Sequence, residues 1–139
     1  MVTCVRQAGA AAPVPGARGN CGGMNRGKSG ATAGHMGARA GITILSMMKD
    51  EGHSVLEWVA YHRAAGAGRI VVYTNDCADG TDRMLDRLEA MGLVRHFRND
   101  VPKGKKPQPH ALSLAEANPA VTGSDWILVM DADEFVAIK

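Results

Sequence analysis

From Gly41 onward the chain alternates between two kinds of apolar patterning. Ile42-Thr43-Ile44-Leu45-Ser46-Met47-Met48 is a near-continuous apolar run that ends in Lys49-Asp50-Glu51-Gly52, the pattern of a strand buried on both faces with charge at its carboxyl end. After Ser54 the apolar positions Val55, Leu56, Val59 and Ala60, with Trp58 beside them, repeat at helical spacing until Gly66 and Gly68 stop the helix. Residues 69–74 form a second strand, closed by Asn75-Asp76. Asp79 or Thr81 then caps a helix whose inner face is Met84, Leu85, Leu88 and Met91, and Gly92 ends it. Residues 93–98 read as a short third strand, residues 99–107 as a basic loop with Lys103, Lys105 and Lys106, and residues 108–118 as a third helix. Ala111, Leu112, Leu114 and Ala115 lie on or near its buried side, and Pro119 breaks it. The last run, Trp126-Ile127-Leu128-Val129-Met130, is too short for a helix and rich in strand formers. It leads into Asp131-Ala132-Asp133-Glu134 and Phe135.

The order β-α-β-α-β-α-β predicts parallel strands joined by right-handed crossovers, hence an α/β fold with helices packed on an open, mainly parallel sheet. Ligands of such sheets bind outside the carboxyl ends of the strands. Lys49-Asp50-Glu51, Asn75-Asp76 and Asp131-Ala132-Asp133 leave strands one, two and four at that end. Strand side chains alternate, so Asp131 and Asp133 share a face if the extended conformation persists past Met130. Two such carboxylates repel one another and call for a proton, a basic partner or a hard divalent cation. A solvated, Asp-rich turn is the plainer alternative.

Composition limits the remaining possibilities. The 139 residues hold one domain of ordinary size. Residues 1–40 are dominated by Ala, Gly and Pro without a periodic apolar face, so they read as a disordered leader preceding an ordered domain at residues 41–139. The net charge of +2 conceals an asymmetry. No Asp or Glu precedes Asp50, whereas Arg6, Arg18, Arg26, Lys28, Arg39 and Lys49 do, giving residues 1–49 a charge of +6. Residues 50–139 carry ten basic and fourteen acidic side chains, hence −4. This mildly acidic domain, poor in aromatic residues, lacks the basic face and stacking platforms of nucleic-acid binding. Cys4, Cys21 and Cys77 are too few and scattered for a disulfide framework or a zinc site, and a reducing compartment is the default. No apolar run reaches the ~20 residues that span a bilayer, and no secretory signal is expected because Arg6, Pro13 and Pro15 interrupt the apolar start. Gly22-Gly23-Met24-Asn25-Arg26-Gly27-Lys28-Ser29 matches the phosphate-loop pattern. That loop needs a strand before it and a helix after it. Neither flank is of that kind.

Four segments in order carry a resemblance. Ile44-Leu45-Ser46-Met47-Met48-Lys49-Asp50-Glu51, Leu56-Glu57-Trp58-Val59-Ala60-Tyr61-His62-Arg63, Val72-Tyr73-Thr74-Asn75-Asp76-Cys77-Ala78-Asp79-Gly80-Thr81 and Asp131-Ala132-Asp133-Glu134-Phe135 resemble the family 2 glycosyltransferases. The nearest pattern is a bacterial branch with M-K-N-E, L-E-W-x-x-Y-H, N-D-x-x-D-G-T and D-x-D-E-F. The resemblance implies a Rossmann-like GT-A fold, a nucleotide-diphosphate sugar as partner, a glycan or lipid acceptor, and Mn2+ or Mg2+ as cofactor. A cytoplasmic location is expected, with peripheral placement at the inner membrane as an option. The resemblance further implies that Asp50 and Glu51 edge the nucleotide pocket, that Asp76 contacts base or ribose, and that Asp131 and Asp133 are the D-x-D pair, on the ribose side and on the metal. Lys105, Lys106 and the N-terminus of the third helix are candidates to assist the diphosphate.

Asp50 departs from the Asn of many relatives, adding a negative charge near the phosphates. The family's acceptor site and acceptor-activating base would fall beyond Lys139, so a donor-binding portion without transfer activity is the expectation. A non-catalytic nucleotide-sugar-binding or interaction remnant is the alternative, with a phosphate-loop nucleotidase, resting on residues 22–29 alone, more remote. Elsewhere structural roles are expected: His53 and His62 at the surface or core edge, Glu57 as a solvated charge or partner of Arg63, Cys77 without a base to activate it, Trp58 and Trp126 in the core, and Glu134 behind the ligands.

Overall fold

The structure is a computed structural model, and it describes residues 3–6 and 40–137. Among them the elements are β1 (Thr3–Arg6), β2 (Ala40–Met48), α1 (Val55–Ala64), β3 (Arg69–Thr74), α2 (Thr81–Ala90), β4 (Arg95–Arg98), α3 (Pro107–Glu116), α4 (Pro119–Thr122) and β5 (Ser124–Val129). The strands form a five-stranded sheet in the order β1-β5-β2-β3-β4. β2 runs parallel to both β3 and β5, and β4 parallel to β3, while β1 lies antiparallel to β5. The expected α/β fold with a parallel, open sheet is therefore present.

Burial on both faces explains the unbroken apolar runs. From β2, β3 and β5, Ile44, Met48, Ile70, Val72 and Leu128 face one side, where they meet Val55, Trp58 and Val59 of α1 and Leu85 and Leu88 of α2. Leu45, Val71, Tyr73 and Ile127 face the other, against Ala111 and Ala115 of α3 and Val121 of α4. Both α1 and α2 end at a glycine with positive φ, Gly66 (93°) and Gly92 (74°). In each, the next residue's N–H reaches back to the last turn, Ala67 to His62 O and Leu93 to Leu88 O, both at 3.0 Å. Ala67 and Leu93 thereby return to the core.

Several expectations are corrected. Thr3–Arg6, within the stretch read as a leader, pairs with residues 126–129 of β5 as an edge strand. Residues 7–39, including the phosphate-loop look-alike at 22–29, lie outside the described residues. Trp126 is 40% exposed rather than core. It stands near the start of β5. Met91, Leu56, Leu112 and Leu114 are exposed, and so is Ala60, because each helix presents only a narrow stripe to the sheet. Pro119 does not simply break a helix. Its fixed φ suits a first helical position, and Asn118 Oδ1 accepts from Ala120 N at 2.9 Å, starting α4.

Candidate functional site

Parallel pairing of β5, β2 and β3 brings the loops after them to one edge of the sheet. β3 and β4 lie on one side of β2, and β5 on the other. Strand order thus reverses between β2 and β5, and the carboxyl ends of strands at such a switch point are where open α/β sheets bind ligands. Asp50 and Glu51 follow β2, Asp76 follows β3, and Asp131 and Asp133 follow β5. All five candidates occupy this edge. Asp50, Asp76, Asp131 and Asp133 are exposed, and Glu51 is half-buried.

The first two loops hold one another through a reciprocal pair of carboxylates. Asp50 Oδ1 accepts from the N–H of Ala78 at 2.6 Å and of Asp79 at 3.3 Å. In return, Asp79 Oδ2 accepts from Gly52 N–H at 2.7 Å. Asp79 Oδ1 accepts from Thr81 N at 2.9 Å and Thr81 Oγ1 at 2.6 Å, tying down the start of α2. These bonds, chiefly those from Thr81 and then Gly52, hold the Asp79 carboxyl below its ordinary value. A β-carbon at Gly52 would stand 2.8 Å from both Asp79 Oδ2 and Met84 Cε. Asp50 and Asp76 both adopt positive φ, 55° and 45°, a region that short Asx side chains tolerate better than most. The charge at Asp50 is thus directed into the neighbouring loop's backbone, and an Asn oxygen would serve the same purpose. Cys77 follows Asp76, with its thiol pushed up by burial and its Sγ–H facing the carbonyls of Met48 and Asn75. That environment opposes a thiolate nucleophile.

After β5 the geometry departs from expectation. The strand ends at Val129, and Glu134 N–H bonds to Asp131 O at 3.2 Å, so residues 131–134 form a turn rather than an extension of the pleat. Asp131 and Asp133 flank the buried Ala132, and Glu134 Oε2 accepts from the Asp131 N–H at 3.0 Å. Glu134 is thus a brace of the turn. Among the described residues no group of three or more His, Cys, Asp or Glu stands ready to hold a metal ion. What the turn offers is two carboxylates.

The segment beyond the turn is bound to α1. Trp58 Nε1–H donates to Glu134 O at 2.9 Å, and Tyr61 O–H to Val136 O at 2.7 Å. His62 is fully buried, not at the surface or core edge. Its Nδ1 lies 2.8 Å from Trp58 O, a carbonyl that can only accept, so Nδ1 carries the proton and Nε2 accepts from Val136 N–H at 3.4 Å. Burial lowers the His62 pKa, with the bond to Trp58 opposing. Phe135 stacks on His62 at 5.7 Å and meets Tyr61 edge-on at 5.0 Å. Sequence reasoning read Trp58 as core and gave Tyr61 and His62 no such part. Their spacing of three and four residues from Trp58, one face of a helix, was the available signal.

A further polar cluster joins α2 to the other edge of the sheet. Arg98 bridges Asp82 and Asp86 at 2.6 and 2.7 Å, and His96 Nδ1 meets Asp86 at 2.7 Å. His96 Nε2 pairs with Thr74 Oγ1 at 2.7 Å. Thr74 and His96 are buried, whereas Arg98 and Asp86 lie at the surface, so the cluster ties the buried imidazole to an exposed ion pair. Lys103, Lys105 and Lys106 are exposed in the loop after β4. No described helix is long and apolar enough to cross a membrane.

Comparison with known proteins sharpens the family. The chain is similar to a glycosyltransferase family 92 protein of Ricinus communis, 26% identical over 96 residues, covering 68% of this chain and 16% of that protein. The chain therefore spans about one sixth of that relative's length. The family 92 sequence profile matches residues 45–139, more than half of the chain, from within β2 through the turn after β5. The resemblance to family 2 is corrected accordingly: the likeness to glycosyltransferases stands, and the branch differs. The chain belongs to glycosyltransferase family 92.

Proposed function

We propose that this chain binds a nucleotide-diphosphate sugar at the carboxyl ends of β2, β3 and β5, as the donor-binding part of a sugar-transferring protein. The observation that carries this reading is that Asp50 and Glu51, Asp76, and Asp131 and Asp133 lie in the loops that leave β2, β3 and β5 at one edge of the sheet, where strand order reverses between β2 and β5. Family membership supports it. Asp76 contacts base or ribose, with Glu51 at the edge of the nucleotide pocket. Asp50 contributes by shaping that edge, since its carboxylate is committed to the Ala78 and Asp79 amides. Asp131 faces the ribose side.

Asp133, with Asp131, would hold Mg2+ or Mn2+. The fit rests on donor chemistry: two exposed carboxylates on one turn supply hard oxygen ligands and leave coordination positions for phosphate oxygens, the habit of these ions. When bound, such an ion stabilises the negative charge that a departing diphosphate gains. The chain's own part is to hold the nucleotide and to present the turn. A calorimetric titration with UDP, GDP, ADP and CDP, with and without Mn2+, tests the reading. At least one nucleotide is expected to bind measurably more tightly with metal, and Asp133→Ala to remove most of that increment. Equal affinity in all metal conditions, or an unaffected Asp133→Ala variant, would refute the assignment.

A further inference from the structure

Asp131 and Asp133 are exposed on a turn in which Glu134 N bonds to Asp131 O, with the Glu134 carboxylate bracing the Asp131 amide. On one side the turn is anchored by β5, where Met130 N still bonds to Leu45 O at 3.1 Å. On the other side no strand continues among the described residues. Three backbone groups of the departing segment, Glu134 O, Val136 N and Val136 O, are instead met by Trp58, His62 and Tyr61 of one helix. Phe135 between them packs on two of the same side chains.

We infer that Trp58, Tyr61 and His62 are positioning residues, which hold the segment 134–136 so that the Asp131–Asp133 turn is preset to receive a metal-bound nucleoside diphosphate. This rests on the donor reading given above. The physical reason is preorganisation. Two carboxylates on a turn anchored at one end would have to be ordered when the ion and diphosphate arrive, and that ordering subtracts from affinity. A turn pinned at both ends has met the cost during folding. The three side chains lie on one helix face at i, i+3 and i+4. Trp58 and His62 are fully buried, so α1 ties the strap to the core. Tyr61 is different. It is 41% exposed, and its hydroxyl bond to Val136 O is exposed as well, so core packing alone does not account for that bond.

Tyr61→Phe is accordingly the deciding variant, because it deletes one O–H and leaves the ring against Phe135. Affinity for UDP, GDP, ADP and CDP is measured by calorimetry without metal and with Mn2+, for the wild type, Tyr61→Phe, Trp58→Phe and Asp133→Ala, with thermal unfolding of each. The loss of one hydrogen bond predicts that the Mn2+-dependent gain falls roughly three- to tenfold in Tyr61→Phe. Metal-free affinity and the thermal midpoint are expected to stay close to wild type. Trp58→Phe, which keeps an aromatic body and removes the Nε1–H donor, should show the same selective loss. If Asp133→Ala abolishes the gain while Tyr61→Phe and Trp58→Phe retain it in full, the positioning role is overturned and the donor reading stands. An equal loss with and without metal in those two variants also overturns it, since that is the mark of a general folding role. If no nucleotide shows a metal-dependent gain, or Asp133→Ala leaves it intact, the donor reading fails and this inference fails with it.

Discussion

Asp50 and Asp79 each bind the backbone of the other's loop: Asp50 Oδ1 takes the amides of Ala78 and Asp79, and Asp79 Oδ2 takes the amide of Gly52. The two loops that leave β2 and β3 are thus one unit at the edge of the sheet. Because the Asp79 carboxyl is held below 3.8 in the folded chain, its contribution to stability is complete above that pH and is lost as pH falls through the lowered value. Asp79→Asn keeps an acceptor oxygen and does not titrate. Urea midpoints measured from pH 6 down to about 3 should fall less steeply in this variant than in the wild type, the remaining slope including Asp82, whose carboxyl Arg98 also depresses. Parallel acid limbs would disprove the clasp.

His62 gives a second pH dependence with the same sign at higher pH. Its folded pKa lies below 6.5 because burial disfavours the imidazolium. The unfolded chain therefore binds more protons just below 6.5, and stability is full above that value and declines as pH drops toward the folded pKa. The thermal midpoint should rise between about pH 5 and 7, and His62→Gln should flatten that rise. An unchanged slope in the variant would assign it elsewhere.

Ser46 carries the opposite kind of feature. Its Oγ is buried with no hydrogen-bond partner among the described residues. Replacing it by Ala removes an unsatisfied polar atom at little cost in volume, and a gain of roughly 0.5–1.5 kcal/mol is expected from urea denaturation. A loss of similar size would show that the hydroxyl is bonded in solution.

Alanine substitutions at Trp58 and Asp76 are expected to differ in their effect on stability. Trp58 is fully buried, and Trp58→Ala should cost about 3–5 kcal/mol in chemical denaturation. Asp76 is exposed and follows β3, so Asp76→Ala should leave the unfolding midpoint nearly unchanged while weakening nucleotide binding several-fold, with or without metal. Weakening only in the presence of metal would move Asp76 from base or ribose to the diphosphate.

Much of this architecture was legible locally. Residues 69–74 read as a strand and form β3 with the same bounds, because five successive buried positions leave a continuous apolar run with polar Asn75-Asp76 directly after it. The loops bearing Asp50, Asp76, Asp131 and Asp133 were likewise legible, since carboxylates cannot follow a strand into the core and so mark where it ends. Leu112, Leu114 and Met91 were misread because helical periodicity tells which residues share a face, not how wide a stripe the sheet covers.

The sequence by itself therefore determined the alternation of strands and helices and the placing of acidic residues at strand ends, both of which follow from short-range periodicity and the cost of burying charge. Only the tertiary structure decided that β5 lies beside β2, so that the loop with Asp131 and Asp133 leaves the strand next to the one that Asp50 follows. It alone decided that Thr3–Arg6 flanks β5. The uses of Asp50, Tyr61 and His62 were settled at the same level, by partners 28, 75 and 74 residues away along the chain. Strand order and such clasps are made by non-local hydrogen bonds, whose partners no window of local pattern contains.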